Sequence, residues 1–527
     1  MIESAYEKHL KESNSQKNNF ASTNSLKLDL RSGILLLVFA STVSLCLYYY
    51  FRIFFIDDYM PSRSDPIGYW TDARAFFQHG QIISPFISDE NISKIGAVSV
   101  HGPMYLIFYG VLSKIFGSCK FTILFVNFAL FVSLIAIVLK SSFLNFKSKL
   151  LLLIIQFSYF ITWFSMFGFT PEFLHIFFAN IIGLQLVACF KDTNEFKFKN
   201  LIKKGEDKES TTIFTKDFYL LVLSIVIAAC FRYSWVLSIV GILPLARHRQ
   251  QLFKLIFLCI TVIGLGFIYK ELFHSEWHGL VMTKAKALVA NGDTIGALKL
   301  IFLNIKTNLE LFFYRYFYSW SYVITKFFFS VSMICLFVRF IFKADRLALS
   351  SIIISLNFFV NLLIFFDAID TRDIRGLTGS FIIMVIVLLH LNYKKIIAAL
   401  ALCFVLLLPT ETMAWFNKMV YSKCKKSGEL YKQIISPRFD RVPSNGKKVI
   451  TILISEKIFW TIPKPNGQPL TIKDILHTKA LKFPLVNFEG VPIRYTFSSN
   501  GKQELKVLGK IDVDYKLTLD GRLIPIR

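Results

Sequence analysis

Residues 121–139 read FTILFVNFALFVSLIAIVL, an apolar run without a charged side chain. An α-helix needs about 17–25 such residues to cross a bilayer. Further apolar runs occupy residues 33–56, 150–167, 349–366 and 376–391. Hydrophobic residues make up 54% of the chain and its mean hydropathy is +0.52, well above the values of soluble proteins. The sequence therefore predicts a mainly α fold, a polytopic bundle of about eleven transmembrane helices.

Basic residues orient these helices, because Lys and Arg are enriched in short loops on the cytoplasmic side. The loops that we place inside are 140–149, 191–216, 247–254, 343–346 and 393–395. The first loop, 57–103, is acidic in its first half and is predicted to lie outside. Residues 1–30 are polar and mixed in charge, which favours a cytoplasmic tail ahead of a retained first helix.

One stretch leaves the number of spans open. Residues 218–246 contain Arg232 and fit either one long helix or two short helices that meet near this arginine. With one helix the later basic loops fall outside, whereas two helices keep every basic loop inside. We therefore predict two helices, and the same count places the C-terminal region outside the cytoplasm.

The last part of the chain differs in composition from the rest. Prolines separate short alternating runs at 449–454, 504–507 and 515–519, a pattern typical of strands. We predict a membrane domain at 31–410 and a small soluble domain, α/β or β-rich and periplasmic, at 411–527.

Composition and missing motifs exclude several kinds of protein. The net charge of +25 comes from lysines spread over several loops, so membrane topology explains it better than nucleic-acid binding. The eight cysteines are scattered without a CxxC pair, which argues against a zinc site or a disulfide framework. Neither a GxxxxGK[ST] loop nor a GxSxG elbow is present. We predict no cofactor, and no clear set of ligands supports a divalent cation.

The first outside loop contains the most specific motif of the chain. Asp65, Tyr69, Ala73 and Gly80 reproduce the spacing D-x3-Y-x3-A-x6-G. This spacing resembles the first outside loop of the GT-C glycosyltransferases, most closely the branch of the lipid A aminoarabinose transferases and protein O-mannosyltransferases. In that branch the loop runs on to a proline and an aromatic residue, and this chain has Pro103 at the matching point.

The resemblance implies an integral membrane enzyme that takes a sugar from a polyprenyl-phosphate donor. The acceptor is then a lipid such as lipid A, a glycan or a protein outside the cytoplasm, and a single displacement inverts the anomeric carbon. We expect the protein in a bacterial inner membrane, among membrane lipids. A secondary transporter or a lipid or glycan flippase is the alternative, since such proteins also carry charges within their spans. A catalytically inactive scaffold is a third hypothesis.

Carboxylates are the candidate catalytic groups. The resemblance implies that Asp65 is the general base or aligns the acceptor. The structural alternative is that Asp65 caps a loop helix ahead of Pro66. Asp57 and Asp58 rank second, because their offset breaks the motif spacing and suits a solvated turn.

Glu172 matches a second acidic position of the superfamily and is our other catalytic candidate, although a carboxylate in a first helical turn is also favoured by the helix dipole. His175, one turn on, is interpreted as a packing residue. Tyr69, Asp72 and His101 are the candidate substrate-binding residues of the first loop.

Three arginines are candidates for binding the donor phosphate. Arg232 lies within an apolar stretch, where a guanidinium costs about 3 kcal/mol and normally faces a cavity or a partner. Arg372 and Arg375 lie in an outside turn where the superfamily often carries an Arg-Tyr motif. This chain has Asp373 and Gly376 after its arginines instead, so either arginine is a candidate. An Asp–Arg surface network is the alternative.

Overall fold

Helices dominate the computed structural model, which confirms the mainly α prediction. The structure describes residues 30–46, 69, 73, 76–77, 87–88, 93–94, 102–117, 119–167, 171–191, 213–273, 280–314, 320–366, 371–413, 450–455, 481–482, 484–486, 492–497, 503–507, 515–517 and 523–525.

Fourteen α-helices lie in the described residues: α1 (Leu30–Cys46), α2 (Met104–Phe116), α3 (Cys119–Lys140), α4 (Phe146–Ser158), α5 (Phe160–Phe167), α6 (Glu172–Phe190), α7 (Lys216–Phe231), α8 (Arg249–Leu272), α9 (Leu280–Ala290), α10 (Thr294–Tyr314), α11 (Trp320–Lys343), α12 (Arg346–Phe365), α13 (Thr378–His390) and α14 (Lys394–Leu407). A first 3-10 helix (Tyr233–Leu245) follows α7, a second 3-10 helix (Thr371–Leu377) precedes α13, and a π-helical turn (Leu408–Met413) extends α14.

Several helices are long and apolar enough to cross a membrane. By length and composition, the described residues contain five such helices: Thr122–Lys140 within α3, and α6, α8, α11 and α12. α4 and α5 make a sixth if this pair, bent by 61°, is one span. Shorter apolar helices occur at Gly33–Thr42, Met104–Phe116, Tyr233–Leu245 and Ile374–His390. The total of about eleven spans stays a prediction.

The outer faces of these helices are apolar. Only 11% of the apolar window of α8 is buried by the rest of the protein, and Phe257 on this helix is 73% exposed. Phe342 on α11 is 81% exposed. A soluble protein does not expose apolar surface on this scale. The chain is accordingly an integral membrane protein, with lipid as the solvent of these faces.

Polar side chains mark where several helices begin. Asn145, Thr215, His248 and Asp345 each accept a hydrogen bond from the backbone N–H three residues on, at the starts of α4, α7, α8 and α12. Such N-caps satisfy amides that lack a partner within the helix. All four caps lie in loops that the charge pattern places inside.

The chain reverses direction at Arg232. This residue is extended, with φ −156° and ψ 116°, between α7 and the first 3-10 helix, which pack against each other. The following helix, α8, runs antiparallel to the 3-10 helix: the Tyr269 hydroxyl donates to the Cys230 carbonyl at 3.1 Å, and Cys259 Sγ donates to the Ile239 carbonyl at 3.5 Å. The prediction of two helices that meet near Arg232 is confirmed.

Contacts between helix ends link loops that the charge pattern places on one side. Arg346 Nη1 donates to the carbonyl of Ala246 at 3.0 Å, and His390 Nδ1 lies 3.2 Å from the carbonyl of Phe143. These residues flank four of the basic loops. The side of the membrane on which these ends lie stays a prediction.

The C-terminal region contributes one mixed sheet. Its strands are β3 (Ile450–Ser455), β4 (Leu481–Lys482), β5 (Pro484–Val486), β6 (Pro492–Phe497), β7 (Gln503–Val507), β8 (Tyr515–Leu517) and β9 (Leu523–Pro525). The order is β7-β6-β5-β3-β8-β9, and β4 also pairs with β3. β3 is parallel to β4, β5 and β8, while the pairs β5–β6, β6–β7 and β8–β9 are antiparallel. Strands therefore occur at all three predicted runs. A short antiparallel pair, β1 (Ile87–Ser88) with β2 (Ser93–Lys94), lies in the first loop.

Candidate active site

Glu172 and Arg375 lie together although they are far apart in the sequence. Glu172 is the first residue of α6, directly after the N-cap Pro171, and its side chain is 7% exposed. Its Oε1 lies 3.6 Å from Nε of Arg375, whose side chain is 25% exposed, on the second 3-10 helix. A carboxylate in the first turn also faces the positive end of the helix dipole. Glu172 therefore contacts a guanidinium and lies at the positive end of a helix dipole.

Arg232 reaches the same turn from a third element. Its Nη2 lies 3.5 Å from the position that a Cβ would take at Gly376, the residue after Arg375. Arg232 stands at the break between two helices, and its side chain is half-buried. The sequence predicts that this arginine faces a partner or a cavity, and the structure shows it beside the turn that carries Arg375.

Trp235 packs between α6, α12 and α13. Its indole Nε1 donates to Nδ1 of His175 on α6 at 3.2 Å. Its ring packs edge-on against Phe358 of α12, with centroids 4.7 Å apart, and a Cβ at Gly379 of α13 would lie 2.7 Å from the same ring. Trp235 is fully buried. It is therefore in contact with α6, which begins at Glu172, and with α13, which follows Arg375, and it stands one turn after Arg232.

The bend between α4 and α5 is in contact with the same corner. Tyr159 separates the two helices in an extended conformation, with φ −73° and ψ 120°. Its hydroxyl lies 3.4 Å from the hydroxyl of Thr378, the first residue of α13, and its ring packs on Phe381. Thr378 is three residues from Arg375, so the bend supports the end of α13 that continues from the arginine turn.

The first loop packs on α2. The ring of Tyr69 lies 5.0 Å from that of Tyr105, which in turn lies 4.6 Å from that of Tyr109. The Tyr109 hydroxyl donates to Oδ1 of Asn127, and Asn127 Nδ2 donates to the carbonyl of Met166 at 3.0 Å. A buried chain of contacts thus runs from the first-loop motif to the end of α5, a few residues before Glu172 in the sequence.

Several predicted site residues lie outside the described part of the structure. They are Asp65, Asp72 and His101, together with the competing Asp57 and Asp58. The backbone of Arg372 belongs to the second 3-10 helix, but its side chain is outside the described residues. Of the predicted residues that the structure describes, Glu172, Arg232 and Arg375 converge on the second 3-10 helix. The ring of Tyr69 packs against α2. Their functional roles stay predictions.

Two arginines and one glutamate come close to one turn. Glu172 pairs with Arg375, and Arg232 lies beside Gly376, at the ends of apolar helices. Guanidinium groups bind phosphate oxygens with two parallel hydrogen bonds, and they do so more strongly where water is partly excluded. The arrangement suits an anion with a phosphate group. Among the described residues, no group of three His, Cys, Asp or Glu side chains is placed to hold a metal ion.

Sequence reasoning did not identify the contacts that assemble this site. Trp235 and Gly376 carried no motif, and His175 was interpreted as packing. His175 is buried, as that interpretation expects, but it also accepts the hydrogen bond from Trp235. A weak signal was present: an Arg-x-x-Trp sequence within an apolar stretch is an unusual place for two amphipathic side chains.

No protein-family model matches this sequence, and no curated protein matches it. Among solved structures, it is similar to ArnT from Cupriavidus metallidurans bound to undecaprenyl phosphate, with a TM-score of 0.40 and 11% identity over 90% of this chain and 97% of that chain. It is also similar to the oligosaccharyltransferase AglB from Archaeoglobus fulgidus in complex with an inhibitory peptide and a dolichol-phosphate, with a TM-score of 0.42 and 11% identity over 90% of this chain and 74% of that chain. Another structure of the Archaeoglobus fulgidus enzyme, tethered with an acceptor peptide, gives a TM-score of 0.43 at 11% identity over 91% and 74% of the two chains. Both proteins are GT-C membrane glycosyltransferases, the superfamily that the first-loop motif resembles. At TM-scores below 0.5, the likeness assigns no residue, donor or acceptor to this chain.

Proposed function

We propose that this chain is a GT-C type glycosyltransferase that moves a sugar from a polyprenyl-phosphate donor to an acceptor outside the cytoplasm. The acceptor is a lipid, a glycan or a protein. The observation that carries the proposal is the convergence of Glu172, Arg375 and Arg232 from three separate elements at the ends of apolar helices. Charges inside a helical membrane protein are costly, so their convergence supports a binding or catalytic role.

The proposed reaction is a single displacement. An acceptor oxygen attacks the anomeric carbon, the bond from this carbon to the phosphate oxygen breaks, and the electron pair leaves with the polyprenyl phosphate. A carboxylate takes the proton of the acceptor hydroxyl. Attack from the face opposite the phosphate inverts the anomeric carbon.

Roles for the charged residues follow from this chemistry. The guanidinium groups of Arg232 and Arg375 are placed to bind the phosphate and to stabilise the negative charge that grows on it. Glu172 orients Arg375 through the 3.6 Å contact and offers a second carboxylate beside the phosphate site. Asp65 is our candidate for the base, on the strength of the first-loop spacing, and Arg372 is a further candidate for the phosphate.

The test is release of free polyprenyl phosphate by the purified full-length chain in lipid nanodiscs. A panel of polyprenyl-phosphate sugars is offered with lipid, glycan and peptide acceptors. We expect one donor to be consumed, and we expect Asp65→Asn and Glu172→Gln to lower its turnover by about 100-fold or more. Glu310→Gln, an exposed carboxylate on α10, is the matched control and should leave turnover unchanged. A folded protein that consumes no donor would contradict the proposal.

One observation also favours a second candidate, a transporter or flippase of lipid-linked sugars. Interrupted helices with a charged residue at the break, such as the one at Arg232, occur at the binding sites of transporters. Reconstitution in liposomes separates the two functions. A transporter carries the labelled donor across the bilayer with its sugar–phosphate bond intact, whereas a transferase breaks that bond.

A further inference from the structure

Two asparagines of α10 bind the carboxyl end of α12. Asn304 Nδ2 lies 3.2, 3.1 and 3.0 Å from the carbonyl oxygens of Leu363, Ile364 and Phe366. Asn308 Nδ2 lies 2.9 Å from the carbonyl of Leu363 and 2.5 Å from that of Phe366. These five contacts are all to carbonyl oxygens, so the amide nitrogen of each asparagine faces the end of α12. Both asparagines are buried.

The end of α12 needs these donors. The last carbonyls of an α-helix have no partner within the helix, and their dipoles add up to partial negative charge. Helix α12 ends at Phe365, so donors from another element stabilise its last carbonyls.

Helix α10 has an unusual distribution of polarity. Its buried side includes both asparagines, while Ile295 is 81%, Phe302 is 72% and Phe313 is 64% exposed. The same buried side carries Phe312, whose ring packs edge-on against Phe359 of α12 with centroids 5.1 Å apart. The hydrogen bonds from the two asparagines add to this apolar contact and fix how α10 sits on the end of α12.

The same helix end lies against the arginine turn. The second 3-10 helix packs on α12. The Cδ1 of Leu362, the residue before Leu363, lies 3.7 Å from the position of a Cβ at Gly376, and Arg232 Nη2 lies 3.5 Å from that position. The α12 end thus forms one wall of the space in which Arg232 and the arginine turn meet.

We infer that Asn304 and Asn308 are positioning residues of the candidate active site: they fix the end of α12 and, through it, the turn that carries Arg375. This inference rests on the proposed function for its catalytic consequence. The positioning itself can be measured without turnover. The two asparagines contact neither the ion pair nor Arg232 through any hydrogen bond described above.

The test compares the native chain with a double variant that carries both Asn304→Leu and Asn308→Leu. Both proteins are reconstituted in nanodiscs. Leucine has the same number of side-chain heavy atoms and a similar branching, but no hydrogen-bond donor. We expect the backbone amides of residues 371–377 to exchange with deuterium about tenfold faster, because the carbonyls of α12 lose their partners. In the turnover assay, we expect the KM for the donor to rise by about tenfold, with a smaller change in kcat.

Asn361→Leu is the matched control. Asn361 lies on α12 and, within the described part of the chain, donates to the Asn357 carbonyl of its own helix at 2.8 Å. It should leave both exchange and KM unchanged. Unchanged exchange at 371–377 in the double variant would overturn the positioning role, and faster exchange with unchanged KM would overturn its link to the donor site. If the native chain consumed no donor, the proposed function would fail while the exchange experiment still decided the positioning role.

Discussion

Gly376 leaves room for the guanidinium of Arg232. Its missing Cβ position lies 3.5 Å from Nη2 of Arg232 and 3.7 Å from Cδ1 of Leu362, and both distances are ordinary contacts for a methyl group. A single methyl therefore fits, whereas a longer side chain has to displace either the guanidinium or α12. Substitutions at Gly376 therefore change the space beside Arg232 without removing a charge.

We predict that Gly376→Ala keeps most activity and that Gly376→Leu raises the donor KM by about tenfold or more, because leucine displaces the arginine from the phosphate site. Steady-state release of polyprenyl phosphate measures both. Equal KM values for the two variants would contradict the placement of Arg232 beside Gly376.

The Glu172–Arg375 pair has a structural contribution that can be separated from catalysis. The Glu172 side chain is 7% exposed and the Arg375 side chain is 25% exposed. The pair is therefore intermediate between a solvent-exposed salt bridge and a fully buried one. We predict that Glu172→Gln lowers the free energy of unfolding by about 1–3 kcal/mol, because Arg375 loses its counter-charge in a poorly hydrated site.

A double-mutant cycle with Arg375→Gln measures this coupling through thermal denaturation in detergent. If Glu172→Gln caused no further loss of turnover in the Arg375→Gln background, Glu172 would act only through the arginine. A further loss in the double variant, beyond that of Arg375→Gln alone, indicates a direct role for the carboxylate.

Among the elements, α6, the first 3-10 helix and α13 meet around Trp235. Close approach is possible because glycines face their neighbours: Gly379 faces the indole of Trp235, and Gly183 of α6 faces Ile386 of α13. Small residues at such contacts allow helices in a membrane to approach closely, where van der Waals contact replaces the hydrophobic effect as the source of stability. The relative position of Glu172, Arg232 and Arg375 depends on these contacts.

We predict that Gly379→Ala destabilises the protein by about 1–3 kcal/mol and reduces turnover, because the new methyl, 2.7 Å from the ring, forces Trp235 to move. Gly264→Ala in α8 is the matched control. Apart from its chain neighbours and its own helix backbone, no atom of the described residues lies within 4 Å of its Cβ position. Alanine favours a helix over glycine by about 1 kcal/mol, so this variant should be as stable or more stable. Thermal denaturation of the two variants compares them directly, and a stable, fully active Gly379→Ala protein would disprove the role of this contact.

At the scale of the whole molecule, Glu411 joins the end of the helical part to α11. Its carboxylate accepts hydrogen bonds from the backbone N–H groups of Trp320 and Ser321, at 2.7 and 3.0 Å, and from the Ser321 hydroxyl at 3.0 Å. It thus caps the start of α11 across a long sequence separation. The predicted domain boundary at residue 411 falls inside this π-helical turn, so a physically sensible cut lies after Met413.

We predict that a chain ending at residue 413 stays folded, whereas a chain ending at 407 is less stable by about 1–2 kcal/mol because α11 loses its cap. Glu411→Gln in the full-length chain tests the same contact without truncation. Thermal denaturation measures all three proteins.

The chain ending at 413 also tests the C-terminal region. If that region selects the acceptor, the truncated enzyme still consumes the donor but uses acceptors in different proportions. Unchanged acceptor choice would exclude such a role.

Sequence alone was sufficient for the helical membrane fold, the break at Arg232 and the strands near the C-terminus. These features depend on local patterns: runs of apolar residues, a charge inside such a run and short alternating segments. Glu172 and Arg232 were candidates from the sequence, Glu172 through the family resemblance and Arg232 through its apolar surroundings, and their functional roles stay predictions.

The tertiary structure was needed to show that Glu172 pairs with Arg375, that Arg232 reaches Gly376, and that Trp235, Asn304 and Asn308 support them. Each of these contacts joins residues more than 50 positions apart, at places where the sequence carries no shared motif. Hydropathy and charge specify how each segment sits relative to the membrane. Which helix ends meet depends on how the side chains of all the helices pack, and no single segment contains that information.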